Sequence, residues 1–96
     1  MTDTIKAAIE ALQRKTEGRD IDFTAKFVIA DEGSVIVDGD GVREGDDDAD
    51  VTLSADVDTF RGIIEGDVNP TSAFMSGRLS IEGDMGLAMK LGSALS

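Results

Sequence analysis

The densest cluster of chemically capable side chains is a run of aspartates, Asp38, Asp40, Asp46, Asp47, Asp48 and Asp50. Clustered carboxylates suit a hard cation such as calcium, which takes oxygen ligands. The spacing does not fit a calcium-binding helix–loop–helix loop. Counted from Asp38, a ligand position falls on Val42, the required glycine on Arg43 and the closing glutamate on Ala49. A solvated acidic loop is expected, with no metal site. Gly39, Gly41 and Gly45 are not followed by the Lys-Ser or Lys-Thr of a phosphate loop, and no dinucleotide fingerprint follows a predicted strand. Glu65 and Glu82 are a formal carboxylate pair, but each stands in a polar turn with nothing local to raise one pKa for acid catalysis. Solvent-facing turn residues are the expected reading.

The chain has no His and no Cys, which removes a zinc site of the usual kind, a thiol redox centre and an imidazole base. No catalytic residue and no cofactor is expected. With 20 acidic and 9 basic residues the net charge is -11. That balance repels phosphate backbones and anionic membrane surfaces, so nucleic acid is excluded as a partner. Membrane contact is expected to be transient at most, through neutral lipid or a local apolar or basic patch. Met1-Thr2-Asp3-Thr4 shows no basic leader before an apolar stretch, and apolar runs are only a few residues long, so a soluble cytoplasmic protein is expected. Ninety-six residues without a linker make one domain, 1–96. Monomer and dimer both agree with these features.

The elements that must position any site follow from periodicity. Ile5, Ala8, Ile9 and Leu12 recur at helical spacing from Thr4, a candidate N-cap, to about Lys15. From Ile21 the period becomes two, with Ile21, Phe23, Ala25, Phe27 and Ile29 on one strand face. Val35 to Val37 forms a second strand, Val42 to Glu44 a weak third, and Val51 with Leu53 a fourth. Val57, Phe60 and Ile64 mark a helix from Asp56 to a stop near Gly66. Asn69-Pro70 caps and opens a short helix through Ala73, Phe74 and Met75, and Leu79 with Ile81 alternates in a last strand. Asp84 caps a final helix in which Leu87, Leu91 and Leu95 form one stripe and Met85 and Met89 an adjoining one. Glu-Gly-Asp recurs at 44–46, 65–67 and 82–84, at unequal separations that point to reused turn chemistry and not to a repeat. One sheet covered by helices on one side would bury every apolar face, an α+β architecture.

The apolar set on the helices is rich in adaptable side chains. Phe60, Ile64, Phe74, Met75, Met85 and Met89 should face the sheet, and thioethers fill irregular or changing space. Periodicity is satisfied equally by a closed core and by a lipid-sized pocket.

From Ala49-Asp50-Val51-Thr52-Leu53 to Leu91 the sequence resembles the sterol carrier protein type of lipid-transfer domain, also called the sterol-binding domain family. The most specific stretch is Asn69-Pro-Thr-Ser-Ala-Phe-Met-Ser-Gly-Arg-Leu-Ser-Ile-Glu-Gly-Asp-Met-Gly-Leu-Ala-Met-Lys-Leu91. Leu79, Ile81, Gly83, Asp84, Leu87, Ala88 and Leu91 match the family pattern by position. Phe23 to Ile29 looks like the family's first strand and Gly33-Ser34-Val35-Ile36-Val37 like its second. This sequence departs in lacking an aromatic at Val35 or Ile36, in the short loops from Asp38 to Asp50, and in its negative charge.

The resemblance implies a five-stranded, mostly antiparallel sheet covered by helices and enclosing an apolar tunnel for a fatty acid, acyl-CoA, phospholipid or sterol. Phe27 would line it from the sheet, with Phe60, Ile64, Phe74, Met75, Met85 and Met89 from the helices. A charged head group should stay at the mouth, where Arg78 and Lys90 are candidate partners. The function so implied is noncatalytic lipid binding and transfer. Given the negative surface, a partner enzyme is an alternative presenter of the ligand. The alternative is an accessory domain with a filled core and an exposed apolar patch for a protein partner.

Overall fold

The computed structural model describes residues 3–18 and 21–95, the last by its backbone alone. Met1, Thr2 and the side chain of Leu95, all read from the sequence above, lie outside that set. The chain runs α1 (Asp3–Thr16), β1 (Ala25–Ile29), β2 (Gly33–Asp38), β3 (Gly41–Glu44), β4 (Val51–Ala55), α2 (Val57–Glu65), α3 (Pro70–Met75), β5 (Leu79–Gly83) and α4 (Met85–Leu95). The strands form one sheet in the order β3-β2-β1-β4-β5. β1 and β4 run parallel, and the other neighbours are antiparallel, so the sheet is mixed.

β1 sits at the centre because its alternation buries one whole face. Ala25, Phe27 and Ile29 are buried and Lys26 and Val28 lie on the opposite side. Ile21 and Phe23 are buried in the same alternation, although hydrogen-bonded pairing begins only at Ala25. β2 and β3 form a tight hairpin in which Val37 faces Val42 across the strands, so the weak third strand is real. Thr4 lies inside the first turn of α1 and not ahead of it.

The chain must return from β3, at one edge, to the far side of β1. It does so through 45–50, which crosses the outer sheet face. Asp46 takes an ion pair from Lys26 at 3.0 Å, and the carboxylate of Asp50 accepts the Thr24 N–H at 3.0 Å. This crossing explains why Ile36 is fully buried on the side away from the core: a Cβ at Gly45 would lie 3.2 Å from its Cγ1.

The helices contribute to one core on the other face. Ile5, Ala8 and Leu12 of α1, Phe60 and Ile63 of α2, Ala73 of α3 and Ala88 and Leu91 of α4 join Phe27, Val35, Val51, Leu53 and Leu79 of the sheet. Burying a side chain such as Leu91 contributes about 1.5–3 kcal/mol. The helix starts are fixed by local oxygens. Asp56 accepts the Thr59 N–H at 2.7 Å, Asn69 accepts from Thr71 and Ser72, and Asp84 accepts from Leu87 at 3.2 Å. The three Glu-Gly-Asp segments do three different jobs: Gly45 lies in the crossing loop, Gly66 closes α2 at φ 85°, and Gly83 ends β5 at φ 99°.

Candidate functional site

α3 and α4 lean apart over β5 and leave an apolar groove of about 400 Å³. Leu53, Leu79 and Ile81 form its floor, Pro70, Phe74 and Met75 of α3 one wall, and Met85, Ala88, Met89 and Gly92 of α4 the other. The uncharged Asn69, Thr71 and Ser93 also line it, and among the described residues none of its thirteen is charged. Asn69 spends its carbonyl oxygen on capping α3. The volume falls within the range of about 300–1,000 Å³ usual for small-molecule sites.

The walls come from helices with two apolar stripes. On α4, Leu87 and Leu91 turn to the core while Met85, Met89 and Gly92 face the groove, with Ala88 between the two stripes, an offset that follows from 3.6 residues per turn. The groove stripe stays partly in water. Met75 is 81% exposed, Met89 67%, Met85 44% and Phe74 39%. Phe74, Met75, Met85 and Met89, singled out in the sequence, are therefore brought together.

Phe27 and Phe60 lie deeper. Their rings meet edge to face, 5.5 Å between centroids and at 68°, beneath the shared groove residues Leu53, Pro70, Leu79 and Gly92. The enclosed void there is only about 10 Å³. Little space is left beside Phe27 and Phe60, and the larger apolar volume between helices and sheet lies over β5, between α3 and α4. The ring of Phe60 occupies the deeper space from the α2 side, packed against Phe27 of the sheet.

The other residues singled out lie elsewhere. Ile64 lines a separate cleft of about 230 Å³ between α1 and α2, with Ala8 and Ala11. Lys90 pairs with Asp22 at 3.2 Å, and its Nζ stands 5.7 Å from the centre of the Phe23 ring. Arg78 opens β5 outside the groove lining, where its charge acts on Asp56. Sequence reading missed Gly92 and Ser93, although they follow Met85 at i+7 and i+8 and so share its stripe. It also missed Asn69 and Thr71, which read only as a helix start.

The titratable groups with shifted pKa values serve the scaffold. The Thr59 N–H holds the Asp56 carboxyl below its usual range. The Arg43 guanidinium, 2.8 Å away, does the same for Asp38. Among the described residues, no three acidic side chains come together as metal ligands would. The acidic loops are instead tied down by pairs such as Arg43 with Asp38 and Lys26 with Asp46.

Comparison with family models gives a match to the SCP-2 sterol transfer family over residues 4–96. The chain belongs to that family. Its curated relatives include hydroxysteroid dehydrogenase-like protein 2 of Xenopus tropicalis, 38% identical over 99 residues that take in 95% of this chain and 24% of the frog protein. Human sterol carrier protein 2 is 43% identical over 53 residues, 55% of this chain and 10% of the human one. The chain thus spans about a quarter or less of the length of these relatives. Among solved structures, the sterol carrier protein domain 2 of Helicoverpa armigera is 31% identical, with TM-score 0.69, covering 93% of this chain and 80% of that one. Sterol carrier protein 2 of Aedes aegypti, solved as a complex with the C16 fatty acid palmitate, superposes over 100% of both chains with TM-score 0.77 at 19% identity, a likeness of fold. The sterol carrier fold expected from the sequence is the one observed.

Proposed function

We propose that this domain binds the hydrocarbon tails of lipids in the α3–α4 groove and carries or stores them without a catalytic step. The supporting observation is the groove itself: three of the four methionines and Phe74 stand around an uncharged, open apolar surface in a chain whose residues are 30% charged. An apolar surface left in water in this way marks a binding site.

Moving a sixteen-carbon tail from water into an apolar site is worth roughly 13 kcal/mol, at about 0.8 kcal/mol per methylene and before ordering costs. Drawn from a bilayer, the tail exchanges one apolar medium for another and most of that gain cancels. Binding is then reversible while the crossing of water is avoided. The unbranched methionines fold over whatever tail is present, which suits a site of low shape selectivity. The filled space beneath, at Phe27 and Phe60, is where a longer tail would extend once α4 shifts outward.

The head group remains at the groove's mouth, since an unpaired charge is costly to bury and the lining offers no counter-charge. Arg78, next in the chain to Leu79 of the floor, is the retained head-group partner. Lys90 is committed to Asp22 and Phe23. The relatives in which the matching segment is a small part of a longer dehydrogenase-like chain support an enzyme as donor or receiver of the lipid.

A fluorescent fatty acid titrated into the protein should bind one to one and be displaced by unlabelled palmitate. A folded protein with no displaceable signal contradicts the proposal. The small void beside Phe27 and Phe60 and the exposed methionines favour a second reading, an accessory domain whose exposed patch meets a protein. Native mass spectrometry separates the two: a retained lipid-sized mass supports the carrier, and a copurifying protein without lipid supports the accessory role.

A further inference from the structure

We propose that the lips of the groove dock on an uncharged, zwitterionic lipid surface, with Met75 and Met89 inserted among the acyl chains. The inference rests on the lipid-binding reading and adds the surface from which the tail is drawn.

Met75 on α3 and Met89 on α4 stand on opposite walls of the groove and are its most exposed apolar side chains, at 81% and 67%. A bilayer that meets both lips covers the opening between them, so a tail passes from membrane to groove without contacting water. Phe74 and Met85, less exposed, lie behind the lips and continue the apolar path inward.

Charge selects the occupant. The net charge is -11, yet none of the thirteen lining residues is charged. An anionic leaflet would repel the molecule as a whole and find no cation in the groove lining to hold it. A second copy of this chain would bring the same negative charge toward the groove, and no groove residue could neutralise it. A protein partner would find no charge among the described lining residues to orient it in the groove. An electrically neutral lipid surface needs none of these. It also demands no fixed shape, which matches unbranched thioether side chains better than it matches a rigid protein groove.

The chain has no Trp and no Tyr, so a single introduced Trp reports on its own position. Three variants serve: Met75→Trp and Met89→Trp on the lips, and Gln13→Trp on the exposed side of α1. With phosphatidylcholine vesicles the two lip variants should shift their emission to the blue and lose at least about half of it to chain-brominated lipid, while Gln13→Trp does neither. Unmodified protein should float with the same vesicles at low and high salt. It should float about threefold less with vesicles one-third phosphatidylserine, and high salt should abolish that deficit.

Absence of vesicle binding by the unmodified protein, with fatty-acid displacement intact in solution, overturns the docking and leaves the carrier reading standing. Insertion of Gln13→Trp in place of the lips, or a low-salt preference for phosphatidylserine, overturns it as well. So does a stable dimer in sedimentation that does not float. Lip insertion without any displaceable fatty acid sustains the docking surface and removes the carrier reading beneath it.

Discussion

Gly92 of α4 faces the ring of Pro70 at the start of α3 so closely that a Cβ at position 92 would lie 3.7 Å from Pro70 Cβ. That is ordinary contact distance, so an alanine fits and anything longer projects into the groove. Gly92→Ala should raise the melting temperature, because the exchange in a helix interior is worth up to about 1 kcal/mol and that shifts a domain of this size by about 4–8 °C. Gly92→Leu should keep the fold, by circular dichroism, and lower fatty-acid affinity at least about tenfold. Full affinity in a folded Gly92→Leu protein would place the ligand elsewhere.

Met75→Asp tests the same wall by polarity. The side chain is 81% exposed, so the charge is not buried and stability should change by no more than about 0.5 kcal/mol. Affinity for a fatty-acid probe should nevertheless drop several-fold, since a carboxylate loses hydration against the apolar tail and repels an anionic head group. Unfolding and binding titrations on one preparation separate the two effects.

Gly83 ends β5 at φ 99°, and a Cβ there would run into the carbonyl oxygen of Asp50. Gly83→Ala meets both penalties, a left-handed backbone for a residue with a side chain and a collision with a strand neighbour. A loss of about 2 kcal/mol or more is expected in urea unfolding. A change below about 0.5 kcal/mol would mean that the β4–β5 corner relaxes freely.

Asp56 carries a pH dependence of known sign. Its pKa is lowered from the ordinary 3.8, chiefly by the Thr59 N–H, so the folded value lies below the unfolded one. The cap's charge-dependent stabilisation is therefore complete above the unfolded pKa and is lost as pH falls through the folded pKa. Asp56→Asn keeps an oxygen acceptor but does not titrate. Its urea midpoint should fall short of the native one at pH 7, and the gap should narrow as pH falls below the ordinary 3.8. A gap independent of pH would show that the charge contributes nothing.

Much of this arrangement was legible because its signals are local. The alternation from Ile21 to Ile29, the Asn69-Pro70 helix start and the Asp84 cap each need only a few residues of context, and each appears where the pattern puts it. What was not legible depends on distant segments. Nothing near Ile36 indicates that 45–50 will cross over it, and nothing in β1 or β4 states that they pair parallel. Lys90 finds Asp22 across 68 positions of sequence. Ile64 joins the core as its spacing suggests, yet it borders the cleft against α1 and not the groove. Periodicity identified the stripe of Met85 and Met89, yet a stripe has no depth, and only the packing of Phe60 on Phe27 decides that the larger apolar volume lies over β5.

The most direct test uses the methionines themselves. With carbon-13 in the methyl groups of methionine, alanine and isoleucine, Met75, Met85 and Met89 give three signals from the groove, and Ala8, Ala11 and Ile64 report on the cleft between α1 and α2. Titration with palmitate should shift all three and produce nuclear Overhauser contacts between them and the acyl chain. Saturable palmitate binding that leaves these three methyl signals unmoved, with the perturbation instead at Ala8, Ala11 and Ile64 between α1 and α2, would contradict the account.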